Sequence, residues 1–186
     1  MFGKIGKVWN GLTYSPINKF DNEIKTVRFV NKSTNKDPEY AHEDDSGFDL
    51  RAWITDNDEG VRLDPKTNEN FITLKSLERR LIHTGLYVEL PENTEAQVRT
   101  RSGLALKEGL VVANSPGTVD NLYRNEVGVI VLNTSKKSVT ISNGDRIAQM
   151  VICPVYLKGL INLQKIDEVN VETERGLNGF GSSGVK

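Results

Sequence analysis

The stretch Arg175-Gly-Leu-Asn-Gly-Phe-Gly-Ser-Ser-Gly-Val-Lys186 gathers a guanidinium, two hydroxyls, close-approach backbone amides and one flat ring, that of Phe180. Those groups suit a phosphorylated ligand that carries a planar base. Nothing in the stretch can bury a core, and glycine loses the most backbone entropy on ordering. It is expected either to be mobile until a ligand holds it or to be a frayed end. Gly179, Gly181 and Gly184 spell G-x-G-x-x-G, but only Val185 and Lys186 follow. No helix can then receive a pyrophosphate, so the dinucleotide-binding reading fails. No G-K-[ST] follows the glycines, which excludes a P-loop.

Four further blocks carry reactive side chains. Asp44-Asp-Ser-Gly-Phe-Asp-Leu-Arg-Ala52 packs three carboxylates into six positions. Carboxylates at that density repel unless a cation or solvent separates them, so the block reads as a divalent-cation site or as a solvated turn entering a strand. In Arg99-Thr-Arg-Ser-Gly-Leu-Ala105, Arg101 and Ser102 fall where a strand gives way to a short helix. That reads as an anion site, or as a plain Ser N-cap with a surface Arg. Asn114-Ser-Pro-Gly-Thr-Val-Asp-Asn-Leu-Tyr-Arg124 places Asp120 after a Pro-Gly turn, as a general base or a turn-capping carboxylate. Asn143-Gly-Asp-Arg-Ile-Ala-Gln149 is a hairpin turn feeding a strand, and Gln149 enters an apolar run where it needs a partner.

The elements that must position these blocks are mostly strands. Val27 and Phe29, Leu86, Val88 and Leu90, then Ala96 and Val98 alternate with polar neighbours. Val127–Leu132 is apolar at every position except Gly128, which predicts a strand buried on both faces. Leu110–Ala113, Ser138–Ile141 and Ile147–Ile152 read as further short strands, with turn signals at Pro91-Glu-Asn, Ser115-Pro-Gly and Asn143-Gly. The one interior helix candidate is Ser102–Lys107, and the polar run Asp56–Asn70 reads as an excursion between strands. The expected fold is all-β, a sandwich or barrel. Residues 1–20 stand apart: Phe2, Ile5, Val8, Trp9 and Leu12 fall at helix-like spacing among three glycines. They suit an amphipathic anchor, a docking strip or a poorly ordered extension.

Composition narrows the class. A chain of 186 residues, 37% hydrophobic, can bury one domain core, and a net charge near −1 offers no field for nucleic acid or an acidic membrane. The single cysteine, Cys153, excludes an internal disulfide and fits a reducing compartment. It lies in an apolar run and reads as a buried structural thiol. No apolar run is long enough to span a bilayer and no secretory signal is visible.

Taken in order, Ser-Gly-Phe-Asp-Leu-Arg-Ala, Arg-Ser-Gly-Leu-Ala, Gly-Thr-Val-Asp-x-x-Tyr-Arg, Gly-Asp-Arg-Ile-Ala-Gln and Arg-Gly-x-x-Gly-Phe-Gly-Ser-Ser-Gly resemble the five motifs of the trimeric dUTPase family. The match runs from about Val27 to Gly184. The resemblance implies a jelly-roll-like distorted β-barrel with one short helix and a flexible Gly-rich tail. Residues 1–20 would then be an extension, 21–172 the β domain, and 173–186 a tail closing over the site. It implies hydrolysis of dUTP to dUMP and pyrophosphate with Mg²⁺, in a cytoplasmic homotrimer with shared active sites (the host cytoplasm if the source is viral). A deoxycytidine-nucleotide deaminase of the same fold, or a regulatory binding protein on this scaffold, are the alternatives.

Position by position, the resemblance makes Asp120 the base that activates water and Tyr123 the ring under the deoxyribose. Asn114, with Gly117, Thr118 and Val119 beside it, would read uracil, and Gly128 on the return strand would line the same pocket. Arg101, Ser102, Gly103 and Gln149 would hold the phosphate chain, and Asp49 would be an outer-shell partner of the metal. In the tail, Arg175, Ser182 and Ser183 would reach the terminal phosphate, with Gly181 beside them, and Phe180 would stack on the base. Twelve extended residues reach on the order of 40 Å, far enough for a neighbour's site. Ser46, Phe48, Thr100, Leu122, Asn125 and Asn178 depart from the family's usual residues, and none of these changes removes an implied catalytic group. Asn178 is the departure that could re-aim the tail, since Asn tolerates left-handed backbone.

Overall fold

Alternating residues become strands wherever one face can be covered. The computed structural model describes residues 24–156 and 158–179. Its elements run β1 (Arg28–Asn31), β2 (Phe48–Arg51), β3 (Arg62–Leu63), β4 (Asn70–Leu74), β5 (Arg79–Ile82), β6 (Leu86–Glu89), β7 (Thr94–Arg99), α1 (Ser102–Glu108), β8 (Leu110–Val112), β9 (Gly117–Val119), β10 (Val129–Asn133), β11 (Val139–Ser142) and β12 (Arg146–Pro154). They form antiparallel sheets in the orders β2-β12-β7-β9, β5-β10-β8, β11-β4-β3 and β1-β6. This is a jelly-roll-like all-β fold with one short α-helix among the described residues.

The core lies between these sheets. Leu50, Ile72, Leu74, Val129, Val131, Ile141 and Met150 are its most deeply buried large residues. β12 is the longest strand and pairs with β2 on one side and β7 on the other. Its register with β2 shifts between Arg146 and Ala148, so the consecutive residues Ile147 and Ala148 are both buried. The first motif's Gly47 has a packing reason: a Cβ there would lie 2.7 Å from the Met150 carbonyl oxygen. β1 pairs with β6, where Arg28 bonds Glu89 and holds its carboxyl below the usual carboxylate range.

Several expectations are corrected. β10 is buried on one face only: Val129, Val131 and Asn133 point inward, whereas Ile130 is partly exposed within a single chain. The polar run 56–70 is not wholly irregular, because Arg62–Leu63 pairs with β4. Cys153 is half-buried, with its Sγ 3.5 Å from an Arg99 guanidinium nitrogen. β9 and the return strand, β10, do not pair with each other; β9 pairs with β7, and β10 with β5 and β8. Ser102 is not an N-cap: the cap residue is Arg101, and no side chain bonds the helix's first turn.

The chain divides after Val155 into two compact units. The first holds every strand among the described residues. The second, among its described residues, holds a 3-10 turn at Lys158–Leu160 and a turn in which the Gly176 N–H donates to the Thr173 carbonyl. The extension at 1–20 lies outside the described residues. Among those described, no helix is long and apolar enough to cross a membrane.

Asn133 is fully buried, yet every polar atom of its side chain has a partner. Its Nδ2 donates to the carbonyls of Leu74, Lys75 and Lys137, and its Oδ1 accepts from the Ser135 N–H and hydroxyl. Asn133→Ala strips partners from several backbone groups at once, which should cost about 3 kcal/mol in urea unfolding. A loss under a few tenths would mean that water replaces those bonds.

Candidate functional site

The β2–β12 register sets Asp49 opposite Gln149, and the β12–β7 register sets Gln149 opposite Arg99. The end of β7 turns into α1 through Arg101, whose φ of −83° and ψ of 126° are still extended. These pieces surround an open cavity of about 480 Å³ whose walls include Gly47, Asp49, Arg101, Ser102, Gly103, Arg146 and Gln149. Of the residues expected to hold phosphate, the structure brings Arg101, Ser102, Gly103 and Gln149 together. The Gln149 amide donates to the Thr100 carbonyl at 3.1 Å, which answers its need for a partner and fixes its orientation.

Asp49 joins the arginines. Its Oδ1 lies 2.8 Å from Arg101 Nε and its Oδ2 lies 3.1 Å from an Arg146 terminal nitrogen. Arg101 also donates to the Arg146 carbonyl at 3.0 Å. Two guanidiniums facing one cavity repel each other, and the carboxylate between them offsets that repulsion. The net charge of the trio is positive, and the cavity suits an anion. Arg146 received no role from the sequence, although it stands inside the quoted Gly-Asp-Arg-Ile-Ala-Gln. Its signal was the run of a turn, an Arg and then an inward Gln on one strand.

The other expected residues lie outside the walls of this cavity. The Asn114 side chain lies against Gly117, where an added Cβ would sit 3.1 Å from its Nδ2. Gly117 and Val119 are buried, and Thr118 faces out. Asp120 is exposed, and its carbonyl accepts the Tyr123 N–H at 3.0 Å. The Tyr123 ring is 40% exposed and its hydroxyl donates to the Glu126 carbonyl at 2.8 Å. Arg124 bonds the carbonyls of Asn121 and Tyr123, closing the turn. Gly128 packs on β5, where an added Cβ would meet Leu81 Cδ1 at 2.6 Å. None of these residues is among the walls of the arginine cavity.

In the second unit, Arg175 Nε donates to the Asn178 carbonyl at 2.9 Å. The left-handed position there is Gly176, at φ 54°, and not Asn178. Phe180, Gly181, Ser182 and Ser183, with the expected mobility of the tail, lie outside the described residues. Among the described residues no cluster of three or more His, Cys, Asp or Glu could cage a metal.

A family model described as dUTPase matches residues 61–184. The chain belongs to the dUTPase family. The deoxyuridine 5'-triphosphate nucleotidohydrolase of Cytophaga hutchinsonii is 42% identical over 163 residues, covering 88% of this chain and 94% of its own length. That of Alkaliphilus metalliredigens is 46% identical over 163 residues, covering 88% and 98%. Among solved structures, the Staphylococcus bacteriophage 80alpha dUTPase with dUPNHPP is similar at a TM-score of 0.70 and 26% identity, over 86% of this chain and 99% of that one. The dUTPase fold therefore accounts for nearly the whole β unit.

Asp49→Asn leaves two guanidiniums without their counter-charge. In EDTA, the variant should lose about 1–2 kcal/mol of stability, because the groups are partly exposed, and bind inorganic pyrophosphate several-fold more tightly. Calorimetry that finds pyrophosphate affinity unchanged would mean that the two arginines do not act on the cavity together.

Proposed function

We propose that this chain hydrolyses dUTP to dUMP and pyrophosphate, by attack of water on the α-phosphorus. The observation that carries the reading is the Arg101–Asp49–Arg146 trio in an open cavity, in a chain of the dUTPase family. The solved 80alpha dUTPase, similar over most of the chain, carries dUPNHPP.

Arg101 and Arg146 neutralise the phosphate chain, while Ser102, Gly103 and Gln149 orient it. Asp120 takes a proton from water as the water oxygen bonds the α-phosphorus. The bond from that phosphorus to the bridging oxygen breaks, and pyrophosphate leaves. Tyr123 packs against the sugar and leaves no room for a 2′-hydroxyl. Asn114, with Gly117, Thr118, Val119 and Gly128 around it, receives uracil. The tail supplies Arg175, Ser182 and Ser183 to the terminal phosphate and Phe180, with Gly181 beside it, to the base, which excludes water.

Mg²⁺ fits this donor set as an ion carried by the triphosphate. Both oxygens of Asp49 already face guanidinium groups, so the carboxylate suits an outer-shell contact through water and not a cage. When bound, the ion would neutralise charge on the phosphates and fix their conformation.

The site needs more than one copy of the chain. The cavity that would hold phosphates lacks every residue of 114–128, and among the described residues the β5-β10-β8 sheet leaves Leu81 and Ile130 exposed. A homotrimer that places one copy's Asp120 loop over another's arginines supplies both. Its substrate is a free nucleotide, which suits a cytoplasmic enzyme.

With Mg²⁺, pyrophosphate should be released from dUTP and far more slowly from UTP, dTTP and dCTP, and no ammonia should appear from dCTP. Asp120→Asn should bind nucleotide nearly as well and lose about 10²–10⁴-fold in kcat. Near wild-type turnover in that variant would remove Asp120 from the mechanism. Tyr123→Ala should lower the ratio of kcat/KM for dUTP over UTP, and an unchanged ratio would return its ring to a packing role.

A further inference from the structure

Residues 120–128, which carry Asp120 and Tyr123, cross from the end of β9 to the start of β10. They pass from a strand paired with β7 to one paired with β5 and β8, with no ladder of their own. Side chains therefore supply much of what holds them. At one end, Asn121 Nδ2 donates to the Pro91 carbonyl at 2.7 Å. At the other end stands Glu126. Its Oε1 accepts the backbone N–H groups of Thr84 at 3.0 Å and Gly85 at 2.7 Å, and its Oε2 lies 2.8 Å from His83 Nδ1. The side chain is only 16% exposed.

The turn that Glu126 grips is itself rigid. Gly85 has φ 69°, and a Cβ there would come within 2.7 Å of Ser33. The Thr84 hydroxyl donates to the Val127 carbonyl and accepts the Leu86 N–H, and Val127 N–H donates to the Leu86 carbonyl. The same Glu126, through its own carbonyl, accepts the Tyr123 hydroxyl. One residue thus ties the exposed ring to the loop and the loop to the β5–β6 turn.

We propose that Glu126 is a positioning residue that sets the Tyr123 ring, and with it the Asp120 loop, for sugar discrimination and turnover. A charged acceptor shared by two backbone N–H groups is stiffer than a single bond, because shifting it breaks both at once. Glu126→Gln keeps an oxygen for those N–H groups, whereas Glu126→Ala removes it. The effect on turnover rests on the dUTP-hydrolysing reading; the anchoring of the loop does not.

The test pairs kinetics with amide hydrogen exchange in the full-length protein. Glu126→Ala should speed exchange at the Tyr123 and Val127 amides and leave that of Met150, in β12, unchanged. It should also lower the dUTP-over-UTP ratio of kcat/KM by about tenfold, the size of one lost charge-assisted bond. Glu126→Gln should restore both readouts most of the way. Glu126→Asp, which retracts the charge by one methylene, should move them in the same direction as Ala if the Ala variant does not fold. Unchanged exchange at 120–127, or exchange raised equally at Met150, overturns the proposal whatever the activity. A looser loop with discrimination intact also overturns it. A wild-type protein without dUTP turnover would sink the hydrolase reading and leave the exchange result to decide the anchor.

Discussion

Two guanidinium groups face one cavity, and they can do so because Asp49 stands between them. That arrangement depends on the sheet. Asp49 lies on β2, Arg146 begins β12, and Arg101 leaves the end of β7, so three strands must hold one register for the charges to meet. The register is set by what alternates with them: Phe48, Leu50, Ala96, Val98 and Met150 are all buried. A slip of one residue would turn Asp49 into the core and Leu50 into water. The bulge between Arg146 and Ala148 lets β12 begin with an exposed Arg and continue with an inward apolar pair.

The motif order was legible because each block joins a polar group to a turn or strand end, and such junctions leave a readable pattern. Strands β7, β8, β10, β11 and β12 were legible from apolar runs or alternation. β5 was not, since Arg79-Arg80-Leu81-Ile82 buries only Ile82 and its pairing with β10 is what makes it a strand. β9 was hidden for a related reason: three residues after a turn give no period, and its partner lies some twenty positions earlier in β7. The face of β10 that reads as buried is half open in one chain, because hydrophobicity records what must be covered and not by which chain.

The expected site residues divide between the walls of the arginine cavity and a stretch outside them, for a reason the sequence also could not display. Position in a motif joins Arg101 and Asp120 in one expected function, but does not say that Asp120 lies outside the walls of the cavity that Arg101 lines. The cavity around Asp49 and the loop around Tyr123 each have internal hydrogen bonds that fix them separately. Glu126 carries no signal in the sequence, because only the fold brings the Thr84 and Gly85 amides to it.

In the proposed reaction, one copy's Asp120 loop acts on phosphates held by another copy's Arg101 and Arg146. Mixing Asp120→Asn chains with Arg101→Ala chains, each inactive alone, tests it directly through pyrophosphate release from dUTP. Random exchange into shared sites should restore about a quarter of wild-type turnover, because half of the loops and half of the arginine cavities remain intact. If each chain carries its whole site, the mixture should stay as inactive as its parts, and that result would contradict the account.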